Sequence, residues 1–152
     1  MKIWLDGDAC PKKAKEILYK AAIRTQIELI VVANRMNLVP NSKYITTKVV
    51  SSGFDEADKY IEASAASGDL VITSDIPLAA LVVNKGCVAL NQRGVEYNAN
   101  SINQQLAVRN LMSELRDQNM ISGGLSGYTI NHAENFANQL DRLLTKLKPK
   151  GN

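Results

Sequence analysis

The chain has 152 residues, of which 45% are hydrophobic and 22% charged, values typical of a single globular domain with one core. Its apolar runs are too short to cross a bilayer, and acids interrupt the N-terminus where a secretory signal needs an apolar stretch, so we expect a cytoplasmic protein. Two cysteines and one histidine are too few for a disulfide framework or a closed zinc site, and the net charge of +3 permits a nucleic-acid partner without requiring one.

Short apolar runs alternate with helical patterns over residues 1–90. The predicted order is strand 2–6, helix 11–24, strand 28–34, strand 43–50, helix 55–66, strand 69–73, helix 77–85 and strand 87–90. Pro11 suits the first turn of its helix, because that position needs no N–H donor. Continuously apolar strands separated by helices indicate a parallel sheet that is covered by helices on both faces.

From Ser101 onward the pattern predicts helices only. Apolar stripes run over 102–115 and 136–147, on either side of a Gly/Ser-rich loop at 122–131. Such stripes are typical of helices that pack on a core. We therefore predict one α/β domain over residues 1–152, a three-layer sandwich with a mainly parallel sheet of about five strands and C-terminal helices packed on it.

Polar residues follow every predicted strand. In an open parallel sheet, ligands bind outside the carboxyl ends of the strands. The polar residues at these ends are Asp6 and Asp8, Asn34 and Arg35, Asp55 and Asp58, Ser74 and Asp75, and Asn91 and Arg93. Carboxylates brought together from separate parts of the chain repel one another unless a cation compensates, and their hard oxygens suit Mg²⁺ or Mn²⁺.

Three of these acids are the strongest candidates for metal ligands. Asp6 ends a strand that should be buried on both faces, and Asp75 follows a wholly apolar strand in the same manner. Both are poor places for a charge that has no partner. Asp58 lies on the side of its helix that faces the sheet, whereas Asp55 lies on the solvent side.

Each acid also has a structural interpretation. Asp8 and Asp75 each precede a helix that begins with proline, so each could cap that helix. Asp55 and Asp58 have the spacing of a capping pair. Asp69 begins the strand that Asp75 follows, so about six residues at ~3.3 Å each put it on the opposite edge of the sheet.

Several motifs together carry a family resemblance. They are DGDACP at 6–11, VAN at 32–34, GFDEAD at 53–58, GDLVITSDIPLA at 68–79, ALNQRG at 89–94 and LMSELR at 111–116. In order and spacing they resemble the YaiI/YqxD-like family of bacterial proteins. That family looks like a branch of the PIN-like nucleases, whose members are commonly metal-dependent ribonucleases. The resemblance implies a PIN-like fold and an acidic cluster that binds Mg²⁺ or Mn²⁺. In that cluster Asp6, Asp58 and Asp75 occupy the matching positions, with Asp8 and Asp55 nearby.

On this basis we predict a metal-dependent nuclease that acts on RNA rather than DNA. Asp6, Asp58 and Asp75 would hold the ion, Asp8 would complete the catalytic site, and the ion would activate water and neutralise phosphate charge. The residues expected to position water or phosphate are Asn34, Ser74, Asn91 and Arg93. The segment after Gly124 lacks the prolines and the Asp-Arg pair of the family pattern, so we expect altered specificity or reduced activity.

Two other functions fit parts of the sequence. DGD at 6–8 follows a strand, as the Asp-x-Asp signature of haloacid-dehalogenase-type phosphatases does, but a single acid stands at 74–77 where that chemistry needs a pair. A non-catalytic metal- or RNA-binding regulatory module is the other alternative, favoured by the modest charge and by the altered segment after Gly124.

Overall fold

The structure is a computed structural model that describes residues 1–8, 10–53, 56–100, 102, 104, 107 and 127–147. Its strands are β1 (Ile3–Asp6), β2 (Leu29–Ala33), β3 (Ile45–Val49), β4 (Leu70–Ile72), β5 (Val88–Leu90) and β6 (Glu96–Tyr97). Its longer helices are α1 (Lys12–Thr25), α2 (Glu56–Ser64), α3 (Ile76–Asn84) and α4 (Ile130–Leu147). None of the helices in these ranges combines the length and the apolar character that crossing a bilayer requires.

The six strands form one sheet in the order β3-β2-β1-β4-β5-β6. All neighbouring pairs are parallel except β5 with β6, which is antiparallel. Strands β2 and β3 follow one another on one side of β1, and β4 and β5 follow one another on its other side. The strand order therefore reverses between β1 and β4, and a crevice at the carboxyl ends of these two strands is where such sheets bind ligands.

Two helical layers cover the sheet because successive side chains of each strand point to opposite faces. On one face Leu5 of β1 packs with residues of α1 and α4, among them Leu18 and Phe136. On the other face Trp4 packs with residues of α2 and α3, among them Ile61 and Leu78. The molecule is thus a three-layer α/β sandwich. Its inner strands β1, β2 and β4 are buried on both sides, which explains their apolar sequences, whereas the edge strand β3 is largely exposed.

Helix α4 is attached to the turn between β5 and β6 as well as to α1. An added Cβ at Gly94 would meet the backbone oxygen of Asn135 at 2.8 Å, and the φ of Gly94 is +91°, so only glycine suits this position. The Tyr128 hydroxyl, just before α4, donates to the carbonyl of Gln92 at 2.6 Å. These contacts fix the end of the sheet that carries Arg93.

The architecture confirms the predicted sandwich with a mainly parallel sheet and a C-terminal helix packed on it. Within the described ranges the sheet has six strands rather than about five, because β6 is a two-residue antiparallel pairing that is too short to leave an alternating pattern. Most of the predicted helix over 102–115 lies outside the described residues. Ile102, which is described, is helical and buried.

Asp69 lies at the amino edge of β4, opposite the crevice, as its sequence position predicts. Its side chain is buried, and its carboxylate accepts hydrogen bonds from the backbone N–H groups of Lys2 and Ala66 and from Trp4 Nε1, at 3.0, 2.9 and 3.0 Å. A buried carboxylate with three donors is well compensated. Asp69 therefore joins β1, β4 and the end of α2 at this edge.

We expect Asp69→Ala to lower the free energy of unfolding by roughly 3 kcal/mol, since it leaves three buried or partly buried N–H donors without an acceptor. Urea unfolding followed through the fluorescence of Trp4, the only tryptophan, measures this loss. The matched control is Asp141→Ala, which removes an exposed ion pair with Arg24 and should cost less than about 1 kcal/mol. Similar losses in both variants would contradict the structural role of Asp69.

Candidate functional site

Asp6 stands at the carboxyl end of β1, in the crevice where the strand order reverses. Its Oδ2 accepts a hydrogen bond from the Thr73 hydroxyl at 3.2 Å, and that hydroxyl accepts one from the backbone N–H of Asp75 at 3.0 Å. Thr73 directly follows β4 and is buried. The pairing of β1 with β4 thus brings the three residues into one hydrogen-bonded chain that holds the Asp6 side chain in place.

The surroundings of Asp6 disfavour its charge. Burial is the largest cause, and together with the charges of Asp75 and Asp8 it raises the pKa of Asp6 to about 6, while the Thr73 hydrogen bond acts in the opposite direction. The sequence predicts mutual repulsion among the acids, whereas in the structure burial is the main cause of the raised pKa of Asp6. A carboxyl in this state favours a proton or a cation as its partner.

Asp8 connects the ends of β1 and β2. Both of its carboxylate oxygens accept from the backbone N–H of Asn34, at 3.0 and 3.2 Å. Gly7 lies so close to β2 that an added Cβ would meet Val31 Cγ1 at 2.9 Å. Asp8 does not cap α1, because the N-cap position is Pro11 and no side chain among the residues described provides a capping bond there. Asn34 contributes its backbone N–H to this contact, and its residue surface is exposed.

Asp75 is the N-cap of α3. Its Oδ1 accepts from the backbone N–H of Leu78 at 3.1 Å, so the capping interpretation is confirmed for this acid. Asp75 remains partly exposed, and its charge acts on Asp6. Capping uses one carboxylate oxygen and leaves the other for a cation, so a capping role and a ligand role are compatible.

Asp58 lies in the first turn of α2, partly buried beside Ala57 and Ile61, whose side chains pack on the sheet. Asp55 lies outside the described residues. Across the described ranges, no three Asp, Glu, His or Cys side chains are arranged to hold one metal ion. The charges of Asp8 and Asp75 therefore act on Asp6, and Asp58 lies on helix α2.

The remaining candidates lie along the β4 and β5 side of the crevice. Ser74 is exposed next to Asp75. Asn91 has a structural role, because its Oδ1 accepts from the backbone N–H groups of Arg93 and Val95 at 2.9 and 3.0 Å and so shapes the β5–β6 turn. Arg93 is exposed, and its charge acts on the phenol of Tyr128, whose pKa burial raises to about 12.

Sequence reasoning missed three residues of this site. Thr73 reads as the last residue of an apolar strand, and only its pairing partner shows that its hydroxyl meets Asp6. Burial raises the pKa of Tyr97, the Asn91 hydrogen bond opposes this shift, and the charge of Asp75 adds to it. Burial also raises the pKa of Cys10 to about 12, with Lys15 opposing and Asp6 adding to the shift, so this thiol stays protonated and is no nucleophile at neutral pH.

The sequence matches the family model described as "Uncharacterized BCR, YaiI/YqxD family" over residues 4–146. A UPF0178 protein of Pseudoalteromonas atlantica is 50% identical over 146 residues, which cover 96% of this chain and 99% of the relative. UPF0178 proteins of Maridesulfovibrio salexigens and Legionella pneumophila are 48% and 47% identical, covering 96% and 97% of this chain and 97% and 100% of the relatives. No solved structure matches the chain.

The environment of Asp6 predicts how stability depends on pH. Its pKa in the folded protein, about 6, lies above the ordinary value of 3.8, so the folded state holds the extra proton between these values. The contribution of Asp6 to stability is therefore fully present below about pH 4 and is lost as the pH rises through 6. We expect Asp6→Asn to be more stable than the native chain at neutral pH, by on the order of 1 kcal/mol, and to match it near pH 4.

Urea unfolding between about pH 4 and pH 8 measures this dependence, with Asp141→Asn as the control that should follow the native profile. The amide that Asp6→Asn introduces can still accept from Thr73, so the substitution removes the charge without removing the hydrogen bond. A loss of stability in Asp6→Asn at neutral pH would show that the Asp6 carboxylate stabilises the fold instead.

Proposed function

The chain belongs to the YaiI/YqxD family, and we propose that it is a divalent-metal-dependent nuclease that hydrolyses RNA phosphodiester bonds at the crevice between β1 and β4. The observation that carries the proposal is the placement of Asp6. Its partly buried carboxyl ends the central strand at the reversal of strand order, is oriented by Thr73, and is flanked by the charges of Asp8 and Asp75. The resemblance of this family to the PIN-like nucleases, commonly ribonucleases, supports RNA as the substrate.

The donor chemistry of this crevice fits Mg²⁺ or Mn²⁺. Mg²⁺ is usually bound in proteins by one or two carboxylates and is completed by water and substrate phosphate oxygens. Asp6 and Asp75 would hold the ion, with Asp58 of α2 or Asp8 as further ligands. When bound, the ion supplies a water of lowered pKa and neutralises charge on the phosphate.

The other residues of the crevice orient these acids and the substrate. Thr73 donates to one oxygen of Asp6, and the backbone N–H of Leu78 donates to one oxygen of Asp75, so each bond orients its carboxylate. The exposed hydroxyl of Ser74 is a hydrogen-bond donor for phosphate or water at the same edge. Arg93, exposed on the β5–β6 turn, offers a planar guanidinium that suits two phosphate oxygens.

The second candidate function is a regulatory module that binds a metal ion or RNA without turnover. Its support is the modest net charge of +3 and the altered segment after Gly124. Both functions involve binding at the same crevice, and they differ in whether phosphodiester bonds are broken. An activity assay therefore separates them, and a parallel assay on small phosphate monoesters tests the phosphatase alternative.

We expect Asp6→Asn and Asp75→Asn each to lower Mn²⁺-dependent cleavage of single-stranded RNA by about 100-fold or more, because an amide keeps the size of the side chain but loses the charge that binds the cation. Asparagine is as good an N-cap as aspartate, so Asp75→Asn preserves the start of α3 and isolates the ligand role. A labelled RNA incubated with the native and variant chains, with and without Mn²⁺, measures the effect.

Asp141→Asn is the matched control and should cleave RNA as the native chain does, since Asp141 is exposed on α4 and pairs with Arg24. Mn²⁺ should also raise the melting temperature of the native chain more than that of either crevice variant. Equal cleavage in all variants would remove the acids from the reaction. No cleavage by the native chain, combined with an Mn²⁺ shift that depends on Asp6, would favour the binding module.

A further inference from the structure

A second cleft adjoins the acidic crevice. It has a volume of about 430 Å³ and lies between the first turns of α1 and the loop that follows β2. The side chains that form it include Lys12, Lys15 and Tyr19 of α1 and Asn37, Leu38 and Pro40 of the loop. Cys10, four residues after Asp6, also lines the cleft.

The walls of this cleft differ in character. On the helix side Lys12 is exposed, and Lys15 Nζ donates to Asn37 Oδ1 at 2.7 Å. The Asn37 amide in turn donates to the carbonyl of Arg35 at 3.2 Å, so Asn37 holds the ammonium of Lys15 at the cleft and leaves its other protons for a ligand. Glu16 at the rim offsets one of the two positive charges. The helix side thus offers a fixed cation to an anion.

The loop side is apolar and unusually exposed. Leu38 is 97% exposed, and Pro40 beside it is exposed as well. Single apolar side chains on a surface need no explanation, but here two of them face a lysine pair across one cleft. A ligand with a flat apolar face and an attached anion would cover both walls.

Tyr19, at the floor of the cleft, has a hydroxyl group that could accept or donate a further hydrogen bond. The Tyr19 side chain is 8% exposed, and its hydroxyl is buried with no hydrogen-bond partner within the described part of the chain. A buried hydroxyl without a partner is costly, and a polar ligand atom, or a water that it orders, would remove this cost. The floor therefore favours an occupant with a polar edge as well as an apolar face.

We propose that this cleft binds one nucleotide of single-stranded RNA, with its base against Leu38 and Pro40 above Tyr19 and its phosphate at Lys12 and Lys15. A base has two apolar faces and a polar edge, and the adjoining phosphate carries the charge that the lysines complement. The volume lies in the lower part of the roughly 300–1,000 Å³ that small-ligand pockets occupy, which suits one nucleotide. This inference rests on the proposed function for its choice of RNA, and it makes the cleft the subsite that directs the strand into the acidic crevice.

The test measures binding apart from cleavage. A fluorescently labelled single-stranded RNA of about eight nucleotides is titrated, without divalent ions, with the full chain carrying Asp6→Asn, and anisotropy gives the Kd. Leu38→Ser and Lys15→Gln, each added to this chain, should raise the Kd roughly fivefold or more. The matched controls on α1 outside the cleft are Ile23→Ser for the apolar change and Lys20→Gln for the charge change, and both should stay within about twofold.

Leu38 is exposed, so its substitution leaves the fold intact, and Tyr19→Phe gives a further variant that removes only an unpartnered hydroxyl. Tyr19→Phe should weaken RNA binding without lowering stability. In the chain with native Asp6, Leu38→Ser should raise KM for RNA cleavage while leaving kcat unchanged. A Kd for Leu38→Ser within twofold of its parent, or an effect of Lys20→Gln equal to that of Lys15→Gln, would overturn the inference.

Failure of this inference is distinguishable from failure of the proposed function. If RNA is cleaved in an Asp6-dependent manner but the cleft variants bind and cleave as the native chain does, the cleft is not the subsite and the nuclease proposal stands. If RNA binds through Leu38 and Lys15 but the native chain cleaves nothing, the subsite stands and the catalytic proposal falls.

Discussion

The parallel pairing of β1 with both β2 and β4 is the constraint on which the rest of the site depends. Because β1 is central, its carboxyl end meets the ends of its two neighbours, and the loops that leave them must share one crevice. Asp6 ends β1, Asn34 follows β2 and binds Asp8, and Thr73 follows β4 and binds Asp6. A shift in the pairing of β1 with β2 or with β4 would break these hydrogen bonds.

Asp69 and Asp6 lie at opposite edges of the β1–β4 pair. The cost of burying a carboxyl group is compensated differently at these two positions. Asp69, at the amino edge, accepts hydrogen bonds from three N–H donors. Asp6, at the carboxyl edge, has one hydroxyl donor and two neighbouring acids, and its pKa is raised. The first arrangement stabilises the fold as it stands, whereas the second leaves an interaction to be completed by a proton or a cation.

The last helix and the first helix organise the two sides of the crevice. Helix α4 secures the β5–β6 turn through its contact with Gly94, and Arg142 of α4 pairs with Glu96 of β6 at 2.9 Å. Helix α1 borders the other side, where its lysines face the loop after β2. The crevice therefore lies between two rigidly attached borders, one carrying Arg93 and the other carrying Lys12 and Lys15.

The sequence by itself determined the layer architecture and the edge at which the acids gather. Apolar runs and helical stripes are local patterns, and parallel strands put their carboxyl ends at one edge whatever their order, so Asp6, Asp75 and the opposite placement of Asp69 follow from position alone. Only the tertiary structure decided which acid caps a helix and which binds a neighbouring loop, since Asp75 and Asp8 precede their helices in the same way but meet different N–H donors.

The tertiary structure also decided the short β6, the Thr73 contact and the cleft at Tyr19. The Thr73 contact and the cleft depend on residues far apart in the chain, since Thr73 meets Asp6 and Lys15 meets Asn37. Strand β6 depends on the pairing of Ala89 with Tyr97, which is too short to leave a pattern in the sequence. Sequence patterns report the face that a residue presents to the core, because burial acts on one side chain at a time. They do not report which polar group it meets there, because that partner is set by strand order and by the packing of helices across the sheet.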